Sequence, residues 1–204
     1  MRKPYGVILA GGKARRMGGG DKCRIKLGKV EIINHVLKRL NPQVETLAIN
    51  INGNTKRFLD LNIDLIEDNI PNFAGPLAGV LAGLDWAHSK GTDLIVTVAA
   101  DTPFFPLDLV SRFLDAGSKM PLPIVFAATR NESGEKFIHP TFGLWPVAIR
   151  HDLRTGLLLG LRKIKAFADS YPNKEVIFET KGQQDPFFNI NTPQDLELAR
   201  RMML

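Results

Sequence analysis

Residues 7–22 read VILAGGKARRMGGGDK, a short apolar run set directly against a loop of glycines and cations. Gly11 and Gly12 have no Cβ, so backbone N–H groups there can approach a phosphate or a base closely. Arg15 and Arg16 offer guanidinium forks suited to phosphate oxygens, and Lys22 offers a point charge. Each cation taken singly reads equally well as a surface residue; the pattern they complete favours Arg16 and Lys22. The loop matches neither standard phosphate fingerprint. No glycine pair is followed by Lys and a hydroxyl residue, as a P-loop requires. Gly18 and Gly20 fit the first half of the dinucleotide fingerprint, but Cys23 stands where its third glycine belongs.

Other candidate residues also follow apolar runs. In VTVAADTPFFP, Asp101 ends the longest hydrophobic strand pattern, where a carboxylate suits a hard cation such as Mg2+ beside phosphate oxygens. An Asx-turn that merely ends the strand is the alternative. In FFNINTPQDL, Asn189 and Asn191 straddle the end of a short strand pattern. Their amides suit a phosphate or a metal, and equally suit helix capping. In IEDNIPNFAGPLAGV, Asp68 follows a strand pattern, and Gly75 and Gly79 bracket a helix start that leaves room for a planar ring. In HPTFGLW, His139 is held extended by Pro140 and reads better as a structural hydrogen-bonder than as a catalyst. The helical cations Arg162, Lys163 and Lys165 read as a solvated face. Together the glycine loop, the cations, the acid and the glycine-lined walls describe a triphosphate site. No Ser-His-Asp arrangement, Cys/His metal spacing or redox pair competes with it.

These residues need a scaffold that delivers strand ends to one edge, and the pattern supplies one. Strands are expected over Tyr5–Ala10, Leu47–Asn52, Ile63–Ile66, Asp93–Ala100, Pro123–Thr129, Phe137–Trp145, Glu175–Thr180 and Phe187–Ile190. Helices are expected over Glu31–Leu40, Pro76–His88, Leu107–Ala116, Pro146–Leu161 and Arg162–Ser170, with a last one capped by Thr192 and opened by Pro193. Asn69–Gly79 and Asn131–Pro140 are expected as loops over a site. Repeated β-α alternation predicts an α/β domain over residues 1–204: a mostly parallel, doubly wound sheet with helices on both faces. In such sheets ligands sit in the crevice at the carboxyl ends of the strands.

Composition narrows the partners. Residues 1–30 hold nine cations against Asp21 alone, so that segment carries +8; the whole chain is +6, which leaves −2 for the rest. No aromatic residue interleaves the cations between Lys13 and Lys29, as stacking on nucleic acid would favour, so a small polyanion is the better partner. Apolar stretches fall far short of the roughly 20 residues that cross a bilayer, and no signal-peptide core is expected. A lone Cys23 cannot form an intramolecular disulfide, which fits the cytoplasm.

LAGGKARRMGGGDK resembles the signature of nucleotidyltransferases that begin L-A-[GA]-G-x-[SA]-x-R-M-G-x-x-K. The double glycine of Leu9-Ala10-Gly11-Gly12, with GPLAG, ADTPFFP, HPT and NINTPQDL, is similar to the molybdenum cofactor guanylyltransferases, in family order from residue 7 to residue 198. The resemblance implies a Rossmann-like nucleotidyltransferase fold and transfer of GMP from GTP to the terminal phosphate of molybdopterin, with release of pyrophosphate. It implies that Leu9, Ala10 and Gly11 hold guanine and phosphates through backbone groups, and Lys22 the phosphates. Asn50 and Asp68 match nucleotide-binding positions, Asp101 the Mg2+ ligand, and Asn189 with Asn191 the pair near the reacting phosphate and pterin. Cofactor-insertion chaperones or molybdoenzymes are the implied partners downstream. Two departures are the loop spacing, with Gly20 before Asp21, and Ala99-Ala100 before Asp101. A cytidylyltransferase acting on the same pterin is the nearest rival, although it more often shows L-A-A-G; a sugar-nucleotide pyrophosphorylase is next. A non-catalytic GTP-binding cofactor carrier is the rival from another class, and such a protein has no need of Asp101.

Overall fold

The computed structural model describes residues 3–11, 21–70, 75–180 and 184–203. Gly12, Arg15 and Arg16 lie outside the described residues. Strand β1 (Tyr5–Leu9) is followed by a small antiparallel pair, β2 (Lys26–Leu27) and β3 (Val30–Glu31), and by helix α1 (Ile32–Leu40). Strands β4 (Leu47–Asn50) and β5 (Asp64–Ile66) flank a 3-10 segment at Thr55–Leu61. Next come helix α2 (Pro76–Ser89), strand β6 (Leu94–Ala99), helix α3 (Leu109–Gly117), and the paired strands β7 (Ile124–Arg130) and β8 (Lys136–Pro146). Helices α4 (Arg150–Leu158) and α5 (Ile164–Ala168), strand β9 (Asn173–Ile177) and helix α6 (Pro193–Arg201) complete the order.

Among the described residues, seven strands form one sheet in the order β5-β4-β1-β6-β8-β7-β9. Every neighbouring pair is parallel except those made by β8, which runs antiparallel to both β6 and β7. The sheet is mostly parallel, as the alternation implies. The one reversal comes from a tight connection, in which Asn131 N–H donates to the Glu135 carbonyl (3.0 Å) and Gly134 adopts φ 81°. A hairpin there returns the chain antiparallel, whereas a parallel neighbour needs a longer crossover.

Alternate residues of the central strands feed two cores, because side chains alternate faces along a strand. Ile8, Ile49, Val96 and Val98 join α1 and α3 residues such as Val36 and Phe113 on one face. Val7, Ala48 and Ile95 meet α2, α4 and α5 through Val80, Leu84, Leu153 and Phe167 on the other. Helix α2 can lie close because Gly83 has no side chain; a Cβ there would stand 2.8 Å from Val7. A third cluster of Leu27, Ile32, Ile190, Leu196 and Ala199 joins α6 to the β2–β3 pair. Among the described residues no helix is long and apolar enough to cross a membrane.

Four expectations need correction. Phe187–Ile190 is a turn and extended segment and not a strand, because Asp185 captures the N–H groups of Phe187 through its carboxylate (2.8 Å) and of Phe188 through its carbonyl (3.0 Å). Residues 136–140 extend β8 and are no loop. The helix expected over Pro146–Leu161 begins as a 3-10 turn at Val147–Ile149 and becomes α-helical at Arg150. Arg162 and Lys163 precede α5, so that only Lys165 of the three basic residues lies on a helix.

Candidate active site

The parallel register aligns the carboxyl ends of three strands. Leu9 pairs with Asn50 on one side and with Ala99 on the other. Past those pairs, Ala10 N–H donates to the Asn50 carbonyl (2.8 Å) and Ala100 N–H to the Leu9 carbonyl (3.1 Å). Ile51 N–H likewise donates to the Ile66 carbonyl (2.9 Å), so the chain leaves the sheet at Gly11, Asn52 and Asp101 along one edge, where the strand order turns outward from β1 in both directions. The Ala10 N–H is already used by the sheet, so Gly11 is the first residue past the β1 ladder.

Lys22 reaches this edge from the far side of the glycine loop. It opens a short 3-10 turn, Lys22–Arg24, whose Cys23 is buried in the core. Crossed ion pairs fasten the turn to the 3-10 segment after β4: Arg57 to Asp21 (2.6 Å) and Arg24 to Asp60 (2.8 Å). Lys22 Nζ is ion-paired with the Asp101 carboxylate, with side chains 16% and 19% exposed, and donates to Asn191 Oδ1 at 2.6 Å. Thr102 Oγ1 adds a 3.3 Å contact to Asp101 Oδ1. The Asp101 carboxylate thus faces a cation.

Asn191 is aimed by the start of α6. Its backbone N–H donates to Asp195 Oδ2 (2.9 Å), which also accepts from Thr192 N–H (2.8 Å), while Thr192 Oγ1 accepts from Asp195 N–H (3.1 Å). Thr192 is the N-cap and Pro193 the opening residue expected, and Asp195 completes a capping box. Burial acts to raise the Asp195 pKa, but the hydrogen bonds from Asn191 and Thr192 and the nearby Lys22 charge outweigh it and hold the carboxyl below its ordinary range. Ile190 N–H donates to the Asp101 carbonyl (3.0 Å), which ties this segment to the end of β6. Asn189 is exposed two residues before Asn191.

The opposite wall is built on Asp68. Asn50, buried at the end of β4, donates through Nδ2 to Asp68 Oδ1 (2.9 Å). Asn52 donates to Asp68 Oδ2 (2.8 Å), and its Oδ1 accepts from the Asp68 N–H (3.3 Å). A Cβ on Gly79, in the first turns of α2, would stand 2.3 Å from Asn50 Oδ1, and one on Gly11 would stand 2.9 Å from Asn52 Nδ2. These two glycines make room for asparagines. Gly75, the N-cap of α2, has φ 154°, and among the described residues no atom lies within 4 Å of where its Cβ would stand.

His139 bonds Thr129 Oγ1 through Nε2 (2.9 Å) and stacks on Phe187 with ring centroids 4.5 Å apart. Burial lowers its pKa despite the opposing charge of Asp185. The histidine is a hydrogen-bonder inside the fold, in keeping with its sequence context. Sequence reasoning missed Asn52 and Asp195. The signals were present: Asn52 follows Asn50 at the strand end with a spacing of two, and Asp195 stands at the third position of a Thr-capped helix.

Lys22, Asp101 and Asn191 thus converge at one end of the crevice, with Leu9, Gly11, Asn50, Asp68 and Gly79 along the other. A family model described as "MobA-like NTP transferase domain" matches residues 6–175. The chain belongs to the MobA-like NTP transferase family. A molybdenum cofactor guanylyltransferase of Mesorhizobium japonicum is 43% identical over 203 residues, covering 97% of this chain and 95% of its own. One from a Bradyrhizobium species is 43% identical over 201 residues, covering 97% of this chain and 92% of its own. Among solved structures, molybdopterin-guanine dinucleotide biosynthesis protein A from Archaeoglobus fulgidus superposes with a TM-score of 0.73 at 22% identity, over 98% of both chains. A 2-C-methyl-D-erythritol 4-phosphate cytidylyltransferase from Thermus thermophilus does so with 0.73 at 18% identity, over 99% of this chain and 98% of that one. These two structures share the fold of the family.

Proposed function

We propose that this protein is a molybdenum cofactor guanylyltransferase, formed by one domain over residues 1–204, that transfers GMP from GTP to the terminal phosphate of molybdopterin. The new bond joins that phosphate oxygen to the GTP α-phosphorus; the bond to the β-phosphate oxygen breaks, and pyrophosphate leaves with the electron pair. The observation that carries this reading is the convergence of Lys22, Asp101 and Asn191, from three distant parts of the chain, on one strand-end crevice. The close, nearly full-length relatives named as guanylyltransferases support it.

The nucleophile is already an anion, so no strong base is required, and like charge is the main obstacle to its approach. Lys22 neutralises the phosphates, assisted by Arg16 from the glycine loop, and Gly11 and Gly12 offer them backbone N–H groups. Asn189 and Asn191 orient the reacting phosphate on the pterin side. Leu9 and Ala10 present backbone to the base, with Asn50 and Gly79 in the same wall and Gly75 at its rim. Asp68 offers two carboxylate oxygens to the adjacent N1–H and N2–H donors of guanine, a pair that cytosine and adenine lack.

Among the described residues no three His, Cys, Asp or Glu side chains cluster as a self-sufficient metal site. One carboxylate that already attracts a cation, with an amide oxygen beside it, fits Mg2+, which is commonly held by one or two carboxylates plus substrate phosphates. Asp101 is the proposed ligand. When bound, Mg2+ supplies charge neutralisation between the triphosphate and the leaving pyrophosphate. The proposed setting is the cytoplasm, with cofactor-insertion chaperones or molybdoenzymes receiving the product.

The test is pyrophosphate release with molybdopterin and each of GTP, CTP and ATP. GTP should support turnover, with little from the others. A preference for CTP would move the protein to the cytidylyl branch. GTP binding without pyrophosphate release would make it a carrier.

A further inference from the structure

Asp68 can read a base edge only if its carboxylate plane is held, and the structure provides two clamps. Asn50 fixes Oδ1 from the buried side, and its Nδ2 also approaches the Ile66 carbonyl (3.4 Å). Asn52 fixes Oδ2 from the exposed rim. The Asn52 contact is reciprocal: Nδ2 donates to the carboxylate while Oδ1 accepts the backbone N–H of the same residue. Only one orientation of the amide satisfies both, because an N–H cannot be offered to an N–H. Gly11, at the head of the glycine loop, leaves the space in which that amide sits.

We propose that Asn52 is a specificity-determining positioning residue: it holds the Asp68 carboxylate in the plane that accepts two adjacent donors from guanine. The inference rests on the proposed reading of the base by Asp68. Asn52 acts through Asp68 and need not touch the nucleotide. Its loss leaves Asp68 anchored at Oδ1 alone and free to turn about that contact. Lys22, Asp101 and Asn191 stand apart from it, so chemistry with bound GTP should persist.

The probes are GTP and inosine triphosphate, which keeps N1–H but lacks the N2 amine. Their affinities are measured with Mg2+ by calorimetry for the wild type, Asn52→Ala and Asp68→Ala, alongside turnover with molybdopterin. Asn52→Ala should weaken GTP by about five- to tenfold, the loss expected for removal of a side-chain hydrogen bond. It should weaken inosine triphosphate less, so the preference between the two narrows, while kcat at saturating GTP and the Tm stay near wild type. A merely structural role would lower both affinities equally or lower Tm. If Asp68→Ala erases the preference and Asn52→Ala leaves it intact, Asn52 has no positioning role and the base reading stands. If Asp68→Ala also leaves the preference intact, Asp68 does not read the base and both ideas fall.

Discussion

Lys22 rests on Asp101 and so places a cation at the carboxyl-end edge of the sheet. The pair joins the two parts of the chain on which the proposed chemistry draws: a cation for the phosphates and a carboxylate for a metal. It also explains why a strand-end acid that is only 19% exposed is tolerated beside a core strand.

Lys22→Ala should weaken GTP binding and turnover without unfolding the protein, since Lys22 packs no core. Loss of one charge-assisted phosphate contact is worth about 1.5–3 kcal/mol. GTP titration and steady-state kinetics measure this; wild-type affinity and rate together would reduce Lys22 to a surface cation.

Asp101→Asn keeps the shape and removes the charge. The rate of guanine dinucleotide formation should fall about a hundredfold or more, roughly 2.7 kcal/mol of barrier, with a smaller change in GTP affinity. Single-turnover formation across a Mg2+ titration, with circular dichroism as the folding control, decides the matter. Normal turnover at low Mg2+ would remove Asp101 from the metal site.

Gly79→Ala places a methyl group 2.3 Å from Asn50 Oδ1 and 3.0 Å from Leu9 Cδ2. Asn50 is buried and bonded, so it cannot swing aside freely. Overpacking of this kind costs about 1–3 kcal/mol. Tm should drop by several degrees and GTP should bind more weakly; a variant that melts and binds like wild type would show that α2 can shift without consequence.

His139 gives a pH signature. Burial depresses its pKa in the folded protein relative to the ordinary 6.5, with Asp185 opposing. Below pH 6.5 the unfolded chain takes up the proton first, so the stability from His139 is complete above that pH and declines as pH falls toward the folded value. Denaturation at stepped pH should show this decline in wild type and a shallower one in His139→Gln. Parallel curves would assign the acid sensitivity to other groups.

Much of this was legible in the sequence because hydrophobic alternation and turn residues act locally. The β1, α2 and β6 boundaries and the Thr192 cap follow from patterns a few residues long. The reversal of β8 did not, since a parallel and an antiparallel strand buried on both faces share one apolar signature. Nor did the Phe187–Ile190 turn, where the Asp185 side chain overrode the β propensity of the aromatic residues. At the site, Lys22 and Asp101 were recognisable by type, but their pairing was not, because ion pairs across distant segments leave no local trace. Asn52 was visible as a second strand-end asparagine, but its role was not, because that role depends on Asp68 and nothing near Asn52 announces the partner.

The Asn191 contact also has a temporal side. Among the described residues, every strand of the sheet, from Tyr5 to Ile177, precedes the segment that carries Asn191 and caps α6. During synthesis from the amino end, domains assemble in the order they emerge. The sheet and both of its cores can therefore form while Lys22 and Asp101 still lack Asn191. Docking of Ile190 and Leu196 against Leu27 and Ile32 then brings the asparagine to them. This later segment acts as a latch: the Lys22–Asn191 contact closes only when residue 191 and its helix are in place.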